Sequence, residues 1–249
     1  MSSYTQKVIR ISITMDDGGA SGTQMTFTEN AIAVRIQKQG APELPKAQVA
    51  IWGLSQDQMT QLTMLSFDAL SLRRNVLEIA AGEEDRELAV VFQGEIMNAA
   101  PDMNAAPSPV MRLEAISAAY PKLIPSPPVA VKGEQTVDSL MQAFAGEAGL
   151  QYESAGITSS LTNCTINGDP ITKSKWVADT IGADLVIDDQ KMVLVGPDSS
   201  RGEAVAIDVI NPQTGEIGYP SFDSLGIRAV CLFNPVLMVC GLCRIESSM

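Results

Sequence analysis

The sequence predicts a mainly β protein with an α+β insertion, in which antiparallel β-barrels or sandwiches flank a small helix–hairpin α/β unit. Short runs of alternating apolar and polar residues fill the first 120 residues, a pattern typical of half-buried strands. Helical periodicity follows a stretch with four prolines at 120–128, and strand-like runs return after residue 200. We therefore expect three domains: a first barrel with one short helix over 1–120, a small α/β domain over 121–200, and a partial second barrel over 201–249.

The composition restricts the functions that the chain can perform. Its 249 residues include 29 acidic and 17 basic side chains, which gives a formal net charge of −12. Because affinity for duplex DNA comes largely from Lys and Arg that neutralise phosphates, this balance disfavours a DNA-binding protein. Histidine is absent, which excludes Ser-His-Asp and Cys-His nucleophile activation and histidine metal ligands. The sequence therefore predicts a folded acidic protein with no cofactor and no recognisable catalytic centre.

Alternating residues predict the strands of the first domain. In 7–15, Ile9, Ile11 and Ile13 share one face, which is the period of two expected of a half-buried strand. The same pattern predicts further strands at 25–27, 32–36, 47–52, 76–81, 88–97 and 110–116. Polar residues 82–87 suit a hairpin tip. Ser55 is placed to cap one short helix, in which Met59, Leu62 and Leu65 recur at helical spacing.

The middle segment predicts two helices and a hairpin. Thr136 is placed to cap the first helix, which ends near Gly149. One apolar stripe of this helix contains Val137, Leu140, Met141, Phe144, Ala145 and Ala148. Thr172 is expected to cap the second helix, with Trp176, Val177 and Ile181 facing inward and Gly182 closing it. Strands at 185–187 and 192–195 then form a hairpin across 188–191.

The last fifty residues predict strands at 204–210, 227–233 and 236–239. They are too few to form a barrel alone, so we expect them to pack on the first domain or on another chain. The apolar run 230–239 has two interpretations, namely core strands of the last barrel or a subunit interface. The candidate interface residues are Val230, Leu232, Phe233 and Val236.

Several of these stretches resemble the baseplate hub subunits of long-tailed, contractile phages, especially the Mu-like group. Those that resemble the terminal barrel are Thr214–Pro220, Gly226–Pro235 and Arg244–Glu246. Those that resemble the first barrel are Ala47–Ser55 and Val91–Ile96, and Trp176–Pro197 resembles the middle helix-plus-hairpin unit. Hub proteins usually continue with another strand pair beyond the position of Glu246. The second barrel is therefore expected to be partial, through truncation, a frameshift or completion by a partner.

The resemblance implies a virion component of the tail baseplate with two tube-like β-barrels in each subunit, made in the cytoplasm of the host bacterium. Three subunits would close a ring that joins the tail tube to the central spike and leaves a channel for DNA. The acidic charge would then repel passing DNA from the channel wall, although acidic surfaces also simply keep proteins soluble. Glu83, Glu84 and Asp85 are candidate lumen or partner contacts, and the alternative for them is a solvated loop.

Three alternatives stay open on the sequence. A tail-associated peptidoglycan-degrading enzyme would depend on carboxylates such as Glu147 or Asp184. An assembly scaffold would be absent from the finished particle. The pair Cys240 and Cys243 has the spacing of a zinc knuckle, but Cys164 and Cys231 do not form a second knuckle, which favours structural thiols. No secretory signal is expected, and the apolar run 229–243 is too short and too broken for a membrane segment.

Overall fold

A computed structural model describes residues 6–15, 23–41, 43–67, 75–105, 107–123, 126–202, 208–224 and 226–246. The α-helices in this part of the chain are α1 (Gln56–Phe67), α2 (Ala119–Leu123), α3 (Val137–Ala148) and α4 (Pro170–Ile181). The strands of the first 120 residues are β1 (Lys7–Met15), β2 (Thr23–Phe27), β3 (Ile32–Gln37), β4 (Lys46–Trp52), β5 (Val76–Glu83), β6 (Ala89–Asp102) and β7 (Val110–Ile116).

The later strands are shorter. Those of the middle segment are β8 (Val129–Ala130), β9 (Glu134–Thr136), β10 (Gln151–Ala155), β11 (Ser160–Thr162), β12 (Thr165–Ile166), β13 (Asp184–Asp188) and β14 (Lys191–Val195). Those of the C-terminal segment are β15 (Asp208–Ile210), β16 (Ser221–Asp223), β17 (Gly226–Arg228) and β18 (Cys243–Ile245). The mainly β prediction with a few helices is confirmed.

A seven-stranded antiparallel sheet in the order β2-β1-β5-β6-β7-β4-β3 forms the first part of the molecule. Alternation gives this sheet one apolar face, as the strand predictions required. Ile11, Ile51, Leu77, Phe92 and Met111, each from a different strand, are essentially inaccessible in one shared core. The predicted strands and the hairpin between β5 and β6 are confirmed.

The sheet is not a closed barrel in the described part of the chain, because β2 and β3 end the strand order without pairing with each other. Inward side chains of β3, namely Val34 and Ile36, still pack against the same core as those of β1 and β5. The sheet therefore curls around its core without closing. In addition, residues 7–10 of β1 pair with β5 on one side, whereas β2 pairs only with residues 11–15.

Helix α1 begins at a capping box. The backbone N–H of Gln58 donates to Ser55 Oγ (3.2 Å), and the backbone N–H of Ser55 donates to Gln58 Oε1 (2.9 Å). Met59 and Leu62 are buried in the core of the first sheet, as predicted. The side chain of Leu65 lies outside the described part.

Helix α3 matches its prediction closely. All six residues of the predicted apolar stripe are its buried residues, and Gly149 adopts the left-handed conformation (φ 69°) that ends the helix. Thr136 is the N-cap residue, but its side chain makes no capping hydrogen bond. Helices α3 and α4 share one core with the sheet β10-β14-β13. Leu44 and Ala118, from the first 120 residues, join that core.

Helix α4 corrects two details. Its N-cap is Asp169, which accepts hydrogen bonds from the backbone N–H groups of Ile171 and Thr172 at 3.0 Å, so Thr172 is not the cap. Pro170 occupies the first helical position, where its fixed φ and missing N–H cost nothing. Trp176 is 40% exposed and does not face inward, whereas Val177 is fully buried. Gly182 ends the helix as predicted, and the hairpin of β13 and β14 is confirmed.

The C-terminal segment contains less strand than predicted. Residues 204–207 of the predicted strand 204–210 lie outside the described part, and the remainder forms β15. The strand predicted at 227–233 is limited to β17 and an isolated bridge between Glu216 and Cys231. The strand predicted at 236–239 is wrong, because those residues are turns and irregular backbone. A short parallel pair, β15 with β18, closes the segment. Within the described residues, no helix is long and apolar enough to cross a lipid bilayer.

Candidate assembly surface

Exposed apolar side chains concentrate in the C-terminal segment, residues 208–246. Among the described residues, fifteen large hydrophobic side chains are exposed, and ten of them belong to this segment. These ten are Ile217, Tyr219, Phe222, Ile227, Val230, Leu232, Phe233, Val236, Met238 and Leu242. Ile210 is the one buried residue of the segment in its described part. Because soluble monomers rarely expose large contiguous apolar patches, this surface is a candidate for contact with another protein.

Residues 214–224 and 226–232 form the two strands of an arm. At its base the N–H of Leu232 donates to the carbonyl of Gly215 (2.8 Å), and the N–H of Ile217 donates to the carbonyl of Val230 (2.7 Å). The arm continues outward to the antiparallel pair β16 and β17, in which every described residue is exposed. Nothing in the described part of this chain therefore covers its outer half.

The structure places all four predicted interface residues on this surface. Val230, Leu232, Phe233 and Val236 are 51–63% exposed, so they are not core residues of this chain. Residues 230–239 therefore do not form core strands in this chain, and the subunit interface remains a prediction. The segment instead touches the middle sheet through Val239 and Cys240, which pack against the buried cluster of Val186, Val193 and Val195.

The acidic residues predicted to contact a lumen or a partner lie at the tip of the β5–β6 hairpin. Glu84 and Asp85 are exposed. Glu83 is held within the chain, because its Oε1 lies 2.5 Å from Lys7 Nζ and its Oε2 lies 3.4 Å from Arg86 Nε. The hydrogen bond from Lys7 lowers the pKa of Glu83. Within the described part of the chain, Glu84 and Asp85 form no ion pair, so they are the members of this group available to a partner.

An apolar cleft of about 880 Å³ lies between the first sheet and the C-terminal segment, and we call it the sheet-edge cleft. Val8 and Ile9 of β1 and Val34 and Ile36 of β3 line its sheet side, and Leu232, Phe233 and Leu237 are among the residues of its other side. Its sheet side therefore contains two strand edges without a partner among the described residues: the outer edge of β3 and residues 7–10 of β1.

An ion network around the buried Arg201 joins the three parts of the chain beside this cleft. Arg201 Nη1 lies 2.5 Å from Asp188 Oδ2, and its Nε lies 2.7 Å from Glu153 Oε1. Lys38 Nζ lies 2.6 Å from Asp188 Oδ1 and 3.2 Å from Asp189 Oδ2. The backbone N–H of Arg201 donates to the carbonyl of Cys240 (2.8 Å). The network therefore connects the end of β3, the β13–β14 turn and the C-terminal segment.

The network shifts the pKa values of its acids in different directions. Burial raises the pKa of Asp188, but hydrogen bonds from Lys38 and Arg201 outweigh it, so the net pKa is lowered. The hydrogen bond from Arg201 lowers the pKa of Glu153. Burial and the charge of Asp188 raise the pKa of Asp189. Asp188 and Glu153 are therefore held ionised in the folded protein.

Sequence reasoning missed this network because its members come from positions far apart in the chain. Arg201 contacts Glu153 and Asp188, which are 48 and 13 residues away, and Lys38 contacts Asp188 across 150 residues. The one local signal was the pair of adjacent acids, Asp188 and Asp189, in an otherwise apolar hairpin. Isolated acids at a turn are usually solvated, so that signal alone does not predict an ion pair.

Glu147, one candidate acid of the enzyme alternative, is paired with neighbouring side chains. Its carboxylate accepts a hydrogen bond from Ser126 Oγ and lies 3.4 Å from Lys173 Nζ. Asp184 is an exposed residue at the first position of β13. Cys243 is exposed, and the other three cysteines are half-buried free thiols. Across the described ranges, no three Cys, Asp or Glu side chains are grouped so that they could hold a metal ion.

Three solved structures share this fold over nearly the whole chain. A tail protein from Neisseria meningitidis MC58 is 11% identical, with 96% of this chain and 71% of that chain covered and a TM-score of 0.53. The 43 kDa tail protein of prophage MuSo2 from Shewanella oneidensis is 8% identical, with the same coverage and a TM-score of 0.54. A chain of the lidded Francisella PdpA–VgrG complex is 8% identical, with 100% and 41% covered and a TM-score of 0.50.

No curated protein matches the sequence. The model of one protein family, described as baseplate hub gp41, matches residues 8–249. The match includes the first sheet, the middle unit and the exposed C-terminal segment, and the similar tail structures agree with it at the level of fold. The chain therefore belongs to the baseplate hub gp41 family and has a structural role in a phage tail baseplate.

Proposed function

We propose that this protein is a hub subunit that works by assembly, with three copies closing a ring between the tail tube and the central spike. The observation that carries the proposal is the concentration of exposed apolar side chains on residues 208–246. Burying these side chains against another subunit would contribute about 25 cal/mol for each Å² of apolar area removed from water. A subunit that exposes them alone gains stability by associating.

The proposed ring leaves a passage for DNA, and the charge of the chain supports this part of the proposal. A passage must let DNA slide without binding it. With a net charge of −12, the subunit repels phosphates on average, and salt screens that repulsion beyond about 8–10 Å. Glu84 and Asp85, exposed at the β5–β6 tip, are the carboxylates proposed to face the lumen or a neighbouring protein.

Light scattering during size-exclusion chromatography, combined with negative-stain imaging, tests the ring. We expect particles of three times the chain mass that appear as rings. A protein that remains monomeric at high concentration and binds no tail-tube or spike protein would contradict the proposal. Mass spectrometry of purified virions distinguishes a hub, which stays in the particle, from a scaffold, which leaves it.

A further inference from the structure

The turn between β12 and α4 contains the pair Asn167 and Gly168, and both residues are exposed. Of the asparagines in the chain, only Asn167 is followed by glycine. Within the described residues, neither the side-chain amide of Asn167 nor the backbone N–H of Gly168 forms a hydrogen bond. The two groups are therefore accessible to solvent and free to approach each other.

The fold requires glycine at position 168. Its φ of 115° is a conformation that L side chains rarely adopt, and a Cβ there would lie 2.9 Å from Cγ2 of Thr172, in the first turn of α4. The next residue, Asp169, is the N-cap of that helix, and Pro170 begins it. A larger residue at position 168 would therefore disturb the start of α4.

The same glycine leaves Asn167 open to attack by the main chain. The backbone nitrogen of a residue can bond to the side-chain carbonyl carbon of a preceding asparagine, and glycine hinders this approach least because it has no Cβ. Other asparagines are held in place by hydrogen bonds. Asn30 Nδ2 donates to the carbonyl of Trp52 (3.0 Å), and Asn163 Oδ1 accepts from the backbone N–H of Gly133 (3.0 Å). Asn167 thus combines a free amide with the least hindered neighbour.

We propose that Asn167 is a site of spontaneous deamidation, with water as the co-reactant. The nitrogen of Gly168 bonds to Cγ of Asn167 and loses its proton, the Cγ–Nδ2 bond breaks, and the proton leaves with Nδ2 as ammonia. Water then opens the resulting succinimide ring at either of its carbonyl groups. Opening at Cγ gives aspartate, whereas opening at the main-chain carbonyl gives isoaspartate, in which the main chain runs through Cβ and Cγ. Nothing is oxidised or reduced in these steps.

Isoaspartate at position 167 would alter the start of α4, because it lengthens the main chain by one carbon atom just before the N-cap. The side chain of Asp169 accepts hydrogen bonds from two backbone N–H groups at 3.0 Å, and its carbonyl accepts from the N–H of Lys173 at 2.9 Å. Lys173 in turn donates from Nζ to the carbonyl of Pro127 (2.7 Å). Displacement of Asp169 should therefore loosen both the first turn of α4 and residues 126–128. A subunit built into a baseplate is not renewed, so this change would accumulate with age.

Peptide mapping by mass spectrometry tests the site. Wild-type protein is kept in mildly alkaline buffer for several weeks, and each asparagine peptide is followed for the change in mass from amide to acid. Asn104 is the matched control, since it is exposed but precedes alanine, and Asn211 precedes Pro212, which has no N–H to lose. We expect Asn167 to react at least tenfold faster than Asn104, and Asn211 not to react measurably. Equal rates at Asn167 and Asn104, or an unchanged Asn167, would overturn the proposal.

Two variants separate the reaction from its structural consequence. Because Asn167 is exposed, we expect Asn167→Gln and Asn167→Asp to fold as the wild type does. Asn167→Gln disfavours ring closure, and freshly purified Asn167→Asp carries the new charge without the longer main chain. Aged wild-type protein should be cut at residues 126–128 at least twofold faster than aged Asn167→Gln or fresh Asn167→Asp.

Deamidated protein that is cut at the rate of fresh wild type would contradict the predicted effect on α4. Rapid cutting of fresh Asn167→Asp would assign the effect to charge and not to isoaspartate, and would likewise contradict it. None of these outcomes depends on whether the protein forms a ring, so they test this inference separately from the proposed function.

Discussion

Arg201 and Asp188 form an ion pair, 2.5 Å between Nη1 and Oδ2, in which the side chains are only 7% and 13% exposed. Glu153 shares the guanidinium, and Lys38 shares the carboxylate. Because Lys38 directly follows β3 and Arg201 precedes the C-terminal segment, these ion pairs tie the end of β3, the β13–β14 turn and the C-terminal segment to one another. The ion network is therefore the structural support of the surface that we propose for assembly.

Removing Arg201 should destabilise the protein strongly. Arg201→Met leaves the carboxylates of Asp188 and Glu153 without their shared guanidinium, although Lys38 still pairs with Asp188 and Lys191 with Glu153. Losing the hydrogen bonds of a buried cation to these charges costs about 1–3 kcal/mol. Urea unfolding measures the loss. Arg228→Met is the control, since Arg228 is 73% exposed and its pair with Asp223 is expected to be worth at most about 1 kcal/mol. Equal losses in the two variants would contradict this role for Arg201.

The same network predicts the direction of the pH dependence. Asp188 and Glu153 have lowered pKa values in the folded protein, so their contribution is complete above the unfolded pKa values of about 4 and is lost as pH falls through the lower folded values. Asp189, with its raised pKa, acts in the opposite direction, because its protonation favours the folded state. Because Asp188 and Glu153 lose stabilising interactions on protonation and only Asp189 gains, we expect the free energy of unfolding to fall as the pH is lowered.

Urea unfolding between pH 6 and pH 3 measures this dependence. The wild-type free energy of unfolding should fall over the interval by more than that of Arg201→Met, since the variant lacks the cation that lowers both pKa values. Parallel pH profiles for the two proteins would show that the network does not carry the effect.

Lys173 should stabilise the position of residues 126–128, which precede β8. Its side chain is completely buried, and its Nζ donates to Ser126 Oγ and to the carbonyl of Pro127 (2.7 Å). Lys173→Met removes both hydrogen bonds and the ion pair with Glu147, and it should cost about 1–3 kcal/mol, with faster proteolysis at residues 126–128. Lys175→Met, at a more exposed helix pair with Asp179, should change stability by at most about 0.5 kcal/mol and leave proteolysis unchanged.

The N-caps of α3 and α4, Thr136 and Asp169, should contribute differently to the free energy of unfolding. Asp169→Ala removes an acceptor used by two backbone N–H groups and should cost about 1 kcal/mol. Thr136→Ala removes a side chain that makes no capping hydrogen bond, so its cost should be only a few tenths of a kcal/mol. Thermal unfolding of the two variants checks this, and a larger loss for Thr136→Ala would refute the assignment of the caps.

The local elements could be predicted from the sequence because their causes are local. The apolar stripe of α3 and the alternation of β1 each depend only on residues within one element, a few positions apart in the sequence. The N-cap of α4 was missed although the sequence contained the signal, since Pro170 favours the first helical position and so selects Asp169. Trp176 and Val177 are adjacent, and adjacent helix residues point about 100° apart, so both could not lie at the centre of one buried stripe.

The open edge of the first sheet and the ion network could not be predicted in the same way. Whether β3 pairs across to β1 depends on the curvature and register of seven strands, which no short pattern encodes. Arg201 meets Asp188 only because the middle hairpin and the C-terminal segment are packed together. The sequence shows that the candidate interface residues at 230–236 are apolar, but their pattern does not show whether they are buried in the chain or exposed on its surface.

The mass of the assembled particle tests the central claim most directly. Light scattering of the purified wild-type protein, measured across a hundredfold range of concentration, should show a transition from one chain to three, and rings should be visible at the upper end. A wild-type protein that stays at the mass of one chain throughout, with no affinity for tail-tube or spike proteins, would contradict the claim.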